Sequence, residues 1–280
     1  MGKVQAILDE VTGKLRGVPG VVGVVLGGSR ARGTHRSDSD VDIGIYYDET
    51  KGFEVQSLRE IAMELDDEHR KDLITPLGAW GPWVNGGGWL VIRGYHVDFL
   101  FRDVHRVSRV IDDCRKGIVT ADYQTGHPHA YLNMMYMGEV DLCRILADPE
   151  GRIAELKAQT RPYPKALQEA IIGRFLFEAS FSLMFAEANR NHDDLAYVSG
   201  CCFRTVASLN HVLFAKNEEY CVNEKRAVAM VDRMALKPSH YKERIDRVFT
   251  GLSAKDRRGT EEAIATLREL ISETEELVRR

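Results

Sequence analysis

The sequence has no apolar run approaching the roughly 18 residues a membrane-crossing helix requires; its most apolar stretch, Val18 to Gly28, is short and broken by Pro19, Gly20 and Gly23. Cysteine is scarce and badly placed for cross-linking. The five thiols at 114, 143, 201, 202 and 221 are odd in number and show no C-x-x-C spacing, which argues against a disulfide framework and a zinc knuckle alike. There is no cationic surplus, since 38 Lys and Arg face 42 Asp and Glu and leave a net charge of −4 with the nine histidines neutral. Broad electrostatic capture of a nucleic-acid backbone is therefore not expected. Internal repeats and low-complexity tracts are missing too, and with 44% hydrophobic and 29% charged residues the chain has ordinary globular usage. Met1 to Glu10 does not read as a signal peptide, and Ala6 stands where a myristoylation pattern wants Ser or Thr. These absences lead to the expectation of a soluble, cytoplasmic protein with no membrane partner.

What is present changes character at Thr160-Arg161-Pro162-Tyr163-Pro164, where two of only eight prolines fall within three residues. A domain boundary is expected there. Residues 1–160 contain short β-rich runs, Val21 to Leu26, Val41 to Tyr47, Leu73 to Trp80, Trp89 to Ile92 and Tyr95 to Phe101, the last two joined through Arg93-Gly94 as a hairpin, with helical patterns at Val4 to Leu15 and Phe53 to Arg70. Residues 161–280 turn wholly helical. Leu167, Ile171, Phe175, Glu178, Phe181 and Phe185 recur at spacings of three and four, and Leu195 to Lys216, Glu224 to Leu236, Ser239 to Phe249 and Glu261 to Val278 lack strand alternation. The expected class is α+β: a mixed sheet flanked by helices, then a four- or five-helix bundle. The first part carries 19 basic against 24 acidic residues, net −5, and the second 19 against 18, net +1, so neither is a polybasic module.

The stretch that carries chemistry runs from Leu26-Gly27-Gly28-Ser29-Arg30-Ala31-Arg32-Gly33 to Asp40-Val41-Asp42-Ile43. An apolar strand ends in a glycine turn with a hydroxyl and two arginines, a combination suited to phosphate because glycine lets backbone N–H groups approach an anion. The chain then returns to the sheet with Asp40 and Asp42, two residues apart and so on one face. Two carboxylates so placed repel unless a cation lies between them, and hard oxygens with open positions suit Mg²⁺. A third acid is expected from a neighbouring strand. Asp98, alone in the apolar and aromatic run Tyr95 to Phe101, supplies it.

Gly28-Ser29, then Asp40-Val41-Asp42, then Asp98 resembles the nucleotidyltransferase superfamily that includes DNA polymerase beta, and Gly-Ser-Arg-Ala-Arg-Gly is similar to its minimal, aminoglycoside and lincosamide branch. The likeness covers residues 20–101 and is diffuse beyond them, in Asp193-Asp194-Leu195-Ala196-Tyr197, Leu213-Phe214-Ala215 and Asn223-Glu224-Lys225. The resemblance implies Asp40, Asp42 and Asp98 as catalytic ligands of two Mg²⁺ ions. It implies Gly28, Ser29 and Arg32 as contacts to a nucleoside triphosphate, with Arg30 less clearly placed and Lys225, one turn into a helix, reaching the β/γ-phosphates. It further implies a helical domain closing the cleft, and transfer of AMP from ATP to a hydroxyl of a small acceptor such as an antibiotic, with loss of pyrophosphate. Asp122, Glu139, Asp141, Glu178, Asp193 and Asp194 are the candidates for a general base. The acidic first part suits a cationic aminoglycoside, a lincosamide asks for a more apolar wall, and tRNA is disfavoured by the missing basic stripe. Protein adenylylation and a non-catalytic nucleotide sensor are the alternatives, and the full set of three carboxylates favours catalysis. The preferred triphosphate and the oligomeric state are left open.

Competing patterns are weaker. Asp38, Asp40, Asp42 and Glu49 match positions 1, 3, 5 and 12 of a calcium loop, yet Ile43 occupies the glycine position and a strand follows instead of a helix. Gly28 and Gly33 bracket four residues as in a P-loop, but Thr34-His35 replaces the required Lys-Ser/Thr. His127-Pro128-His129 lacks a third metal ligand and reads as loop surface, Cys201-Cys202 as core filling, and Trp80, Trp83 and Trp89 as hairpin core in preference to a stacking surface.

Overall fold

The computed structural model describes residues 2–191 and 194–280. In chain order the elements of the first part are α1 (Lys3–Leu15), β1 (Val21–Leu26), α2 (Gly28–Arg32), β2 (Val41–Tyr47), α3 (Val55–Leu65), α4 (Gly81–Val84), β3 (Gly87–Ile92), β4 (Tyr95–Asp103), α5 (Val104–Arg115), the two-residue strands β5 (Ala121–Asp122) and β6 (Tyr131–Leu132), α6 (Met134–Leu142), β7 (Arg144–Ala147) and α7 (Arg152–Ala158). The helical part holds α8 (Lys165–Asn189), α9 (Leu195–Lys216), α10 (Ala227–Val231), α11 (Tyr241–Gly251) and α12 (Arg257–Arg279). The architecture is thus a mixed sheet with helices followed by a helical region. The chain separates into two compact units, one of Met1–Asp113, Ala121–Gly126 and Tyr136–Pro162, the other of Cys114–Thr120, His127–Met135 and Tyr163–Arg280.

The five-stranded sheet has the order β3-β4-β2-β1-β7. β2 is antiparallel to β1 and parallel to β4, and β4 is antiparallel to β3. Because side chains alternate, Val41, Ile43, Ile45 and Tyr47 share a face with Val97, Phe99, Phe101, Leu90 and Ile92, and all are buried. Ile7, Leu8, Val11 and Leu15 of α1 and Leu58, Ala62 and Leu65 of α3 complete that core. The apolar sheet face packs on the helices, and burial of this order at roughly 1.5–3 kcal/mol per large side chain is what holds β2 and β4 side by side. The opposite face is left to Asp42, Gly44 and Tyr46 on β2 and Asp98, Leu100 and Arg102 on β4.

Several elements differ from the sequence expectation. Residues 73–80 make no strand; Ile74 bridges Gly88 alone. Pro76 and Gly78 stop the extension, and Thr75 instead bonds Gly87 through its backbone N–H and side chain. The helix expected over Phe53 to Arg70 ends at Leu65 because the Asp66 carboxylate draws the backbone N–H groups of Arg70 and Val91 and two bonds from the Arg70 guanidinium. The β3–β4 hairpin turns at Arg93 and Gly94, both with positive φ (53° and 77°), as a tight two-residue connection requires. Asp67 grips that turn, accepting from the Arg93 and Gly94 N–H groups at 2.7 and 2.8 Å.

In the helical unit α8 packs along α9, and α12 lies against α8, α9 and α11. The buried stripe of α8 is Leu167, Ile171, Phe175, Ala179, Leu183 and Ala186, whereas Phe181 and Phe185 are exposed. A 3.6-residue period carries the core face from 175 to 179 and 183, so the aromatic spacing is not the buried one. Glu224 to Leu236 contains only the short α10. His129 is not surface: its side chain is 4% exposed and bonds Glu178 at 2.8 Å.

Candidate active site

The site begins where β1 ends. Gly27 donates its N–H to the Asp42 carbonyl at 2.8 Å, extending the β1–β2 ladder by one bond. Gly28 then adopts φ +59°, and a Cβ there would lie 1.8 Å from Oδ2 of Asp42. The Asp42 carboxylate thus rests directly on the backbone of the Gly-Ser turn, in space only glycine leaves free. Ser29 and Arg32 follow in α2, which Gly33 ends at φ +75°.

The loop from 33 to 40 is tied down by Arg30, whose role the sequence does not reveal. Its Nε donates to the carbonyls of Ser39 and Asp40 at 3.1 and 3.0 Å, its Nη2 donates to Ser39 O at 2.5 Å, and its guanidinium lies 5.9 Å from the Tyr95 ring centre. A planar guanidinium with several fixed donors is suited to such a clamp. Arg30 therefore sets the backbone that enters β2 with Asp40 and Asp42.

Asp42 and Asp98 are register partners across the parallel β2–β4 pair, so they project side by side from the face away from the core. Burial raises the pKa of Asp42, and Asp40 and Glu139 push it further while Arg30 opposes. Asp98 is raised to about 6, by burial first and then by Asp42 and Asp40, with His96 opposing. Three carboxylates therefore share one field, and the two half-buried ones, Asp42 and Asp98, are pushed up in it. Glu139, on the same side, is neutralised locally by two bonds to the guanidinium of Arg102, at 2.8 and 2.9 Å.

This donor set fits a divalent cation in chemistry. Its oxygens are hard, their mutual repulsion is offset only in part by Arg30 and His96, and a cation would relieve it. The cage is not pre-gathered, since among the described residues no three His, Cys, Asp or Glu side chains stand together at metal-holding spacing. Asp42 and Asp98 would hold the ion, with exposed Asp40 beside them.

The remaining sequence candidates are distributed as follows. Lys225 belongs to the helical unit, exposed in the turn before α10 and not inside a helix. Asp141 is bound to Arg161 and Thr160. Glu178 lies between His129 and Arg204 and is lowered to about 2 despite its burial, which makes it a poor base. Asp194 caps α9 by accepting from Tyr197 N–H. Asp122 is half-buried in β5, and Asp193 lies outside the described residues. Cys202 is buried, its thiol raised to about 12, in keeping with core filling. Trp83, in α4, is buried against Tyr136 of α6 and not in the hairpin, and Trp80 and Trp89 form a stack with Trp89 exposed.

The chain has no match among curated proteins. Among solved structures it is similar to a nucleotidyltransferase-like protein from Exiguobacterium sibiricum, at 8% identity and a TM-score of 0.45 over 98% of this chain and 78% of that one. Residues 7–116, which contain the Gly-Ser turn and all three aspartates, match the nucleotidyltransferase domain family.

Proposed function

We propose that this chain is a Mg²⁺-dependent nucleotidyltransferase that moves AMP from ATP to a hydroxyl of a small acceptor and releases pyrophosphate. The observation that carries the reading is the pairing of Asp42 with Asp98 beside the Gly28-Ser29 turn, inside the segment that matches the family.

Phosphoryl chemistry of this kind asks a protein mainly for positioning and charge. The Gly28-Ser29 turn offers backbone close approach and a hydroxyl for the triphosphate, and Arg32 follows one turn later. Arg30 keeps the 39–40 backbone fixed, so that Asp40 and Asp42 present their carboxylates without reordering the loop. Asp40, Asp42 and Asp98 would hold the Mg²⁺ ions, which when bound supply neutralisation of phosphate charge and acidify the acceptor hydroxyl. Burial first, and then mutual repulsion, raise the pKa of Asp42 and Asp98, and a bound cation would favour their ionised forms. Among the base candidates, Glu139, Asp141 and Glu178 are already committed to Arg partners.

Incubation with Mg²⁺ and α-labelled ATP against aminoglycosides, lincosamides, tRNA and a whole-cell protein extract tests the reading. Label on a small molecule with pyrophosphate release is expected. Label confined to protein or to tRNA would move the acceptor class, and ATP binding with no transfer would leave a nucleotide sensor.

A further inference from the structure

We propose that Trp89, backed by Trp80, is the platform on which the acceptor stacks, and that the acceptor is therefore a hydroxylated compound with a sugar-like ring presenting an apolar face. The inference rests on the nucleotidyl-transfer reading above and deepens it.

The position follows from strand order. Across one face of the sheet the Gly28-Ser29 turn of β1, Asp42 of β2, Asp98 of β4 and Trp89 of β3 stand in succession, because Asp42 pairs with Asp98 and Asp98 with Trp89. Directly paired residues point to the same side, at about 4.8 Å per strand. With phosphates at Gly28-Ser29, the reactant on the far side of Asp98 is the acceptor, and Trp89 is what it meets.

The indole pair is built and not incidental. Trp89 is 62% exposed in the middle of a strand whose neighbours Leu90 and Ile92 are buried in the core. Trp80 stacks on it with ring centres 4.6 Å apart and planes at 26°. A Cβ at Gly87 would run into the Phe99 carbonyl at 1.8 Å and come within 2.8 Å of the Trp80 ring, so the strand pairing and the indole both need the space glycine leaves. Buried Gln124 holds the segment by donating to the Trp80 carbonyl at 2.7 Å. A large flat apolar surface left in water beside carboxylates suits a ligand that is apolar on one face and hydroxylated at its edge. Trp83, by contrast, is spent on packing against Tyr136.

The test uses the full chain with Trp89→Ala and Trp89→Phe, after melting curves establish that each folds. Mg·ATP affinity is measured by calorimetry, and transfer of α-label is followed to kanamycin, lincomycin and methyl glucoside. The proposal expects Mg·ATP affinity within about twofold of the parent for both variants, an acceptor KM raised about tenfold or more in Trp89→Ala, exceeding any loss in kcat, and substantial rescue in Trp89→Phe. Loss of Mg·ATP affinity in Trp89→Ala would assign the platform to the nucleobase and overturn the proposal. An unchanged acceptor KM, or labelling of none of the three glycosides by an active parent, would overturn it too. A parent that binds no Mg·ATP would instead bring down the nucleotidyl-transfer reading itself.

Discussion

Asp42 is the residue on which the account turns, because its backbone is part of the sheet ladder while its carboxylate rests on Gly28 and faces Asp98. Asp42→Asn should abolish transfer while leaving the metal-free protein as stable as the parent or more so, since it removes one of the mutually repelling charges; thermal melting in EDTA beside a turnover assay checks both halves. Gly28→Ala should fail differently. The new Cβ would collide with the Asp42 carboxylate in a backbone conformation at φ +59°, so a loss of about 1–2 kcal/mol in stability and most of the activity is expected, read by denaturant titration. Asp98 gives a pH signature. Its folded-state pKa of about 6 lies above the ordinary carboxylate value, so in the metal-free protein it favours the folded state below about pH 4, and that contribution is lost as pH rises through 6. In EDTA the melting temperature of the parent relative to that of Asp98→Asn should therefore fall across that window.

At the scale of elements, the strands bearing the motif could be read directly, because β1 and β2 combine apolar runs with Gly and Asp punctuation at both ends; they span Val21–Leu26 and Val41–Tyr47 as expected. The β3–β4 hairpin was legible through Arg93-Gly94. What escaped was set by partners distant in sequence. β7 is only Arg144–Ala147 at the sheet edge, too short for a period, and is a strand because Val24 to Leu26 pair with it. In α8 Leu167, Ile171 and Phe175 of the expected pattern are buried but Phe181 and Phe185 are not, since the core face continues through Ala179, Leu183 and Ala186. The Arg30 clamp was hidden for the same reason, its partners being the carbonyls of Ser39 and Asp40, which have no letter in the sequence. Arg30→Lys keeps the charge and loses the fork of donors, so it should lower kcat/KM by about 10–100-fold with little change in melting temperature. Full activity in that variant would remove the positioning role.

At the scale of the whole molecule, each unit has its own response to acid. In the helical unit His211 is buried with neither ring nitrogen hydrogen-bonded among the described residues, and burial, aided by His129, lowers it to about 3. A histidine whose folded pKa is depressed contributes stability fully present above about pH 6.5 and lost as pH falls towards 3. The helical unit should therefore weaken by on the order of a few kcal/mol over that range, and His211→Leu should remove most of the dependence, as followed by helical circular dichroism. No helix of the described residues is long and apolar enough to cross a membrane. The alternation that made the sheet legible also marked the acidic face of β2 and β4 in the residue order itself, whereas the exposed Trp80–Trp89 stack depends on Gly87 and on a register that sequence alone does not give.

The central claim, that the β2–β4 carboxylates form a metal-dependent nucleotide site, is tested most directly by calorimetric titration of ATP into the full chain with Mg²⁺ and with EDTA, for the parent, Asp42→Asn and Asp98→Asn. The account predicts clear binding by the parent with Mg²⁺, weak binding in EDTA because three aspartates oppose the phosphate charge, and loss of the Mg²⁺ dependence in both variants. Equal ATP affinity in Mg²⁺ and EDTA, or an undiminished Mg²⁺ dependence in Asp42→Asn, would contradict it.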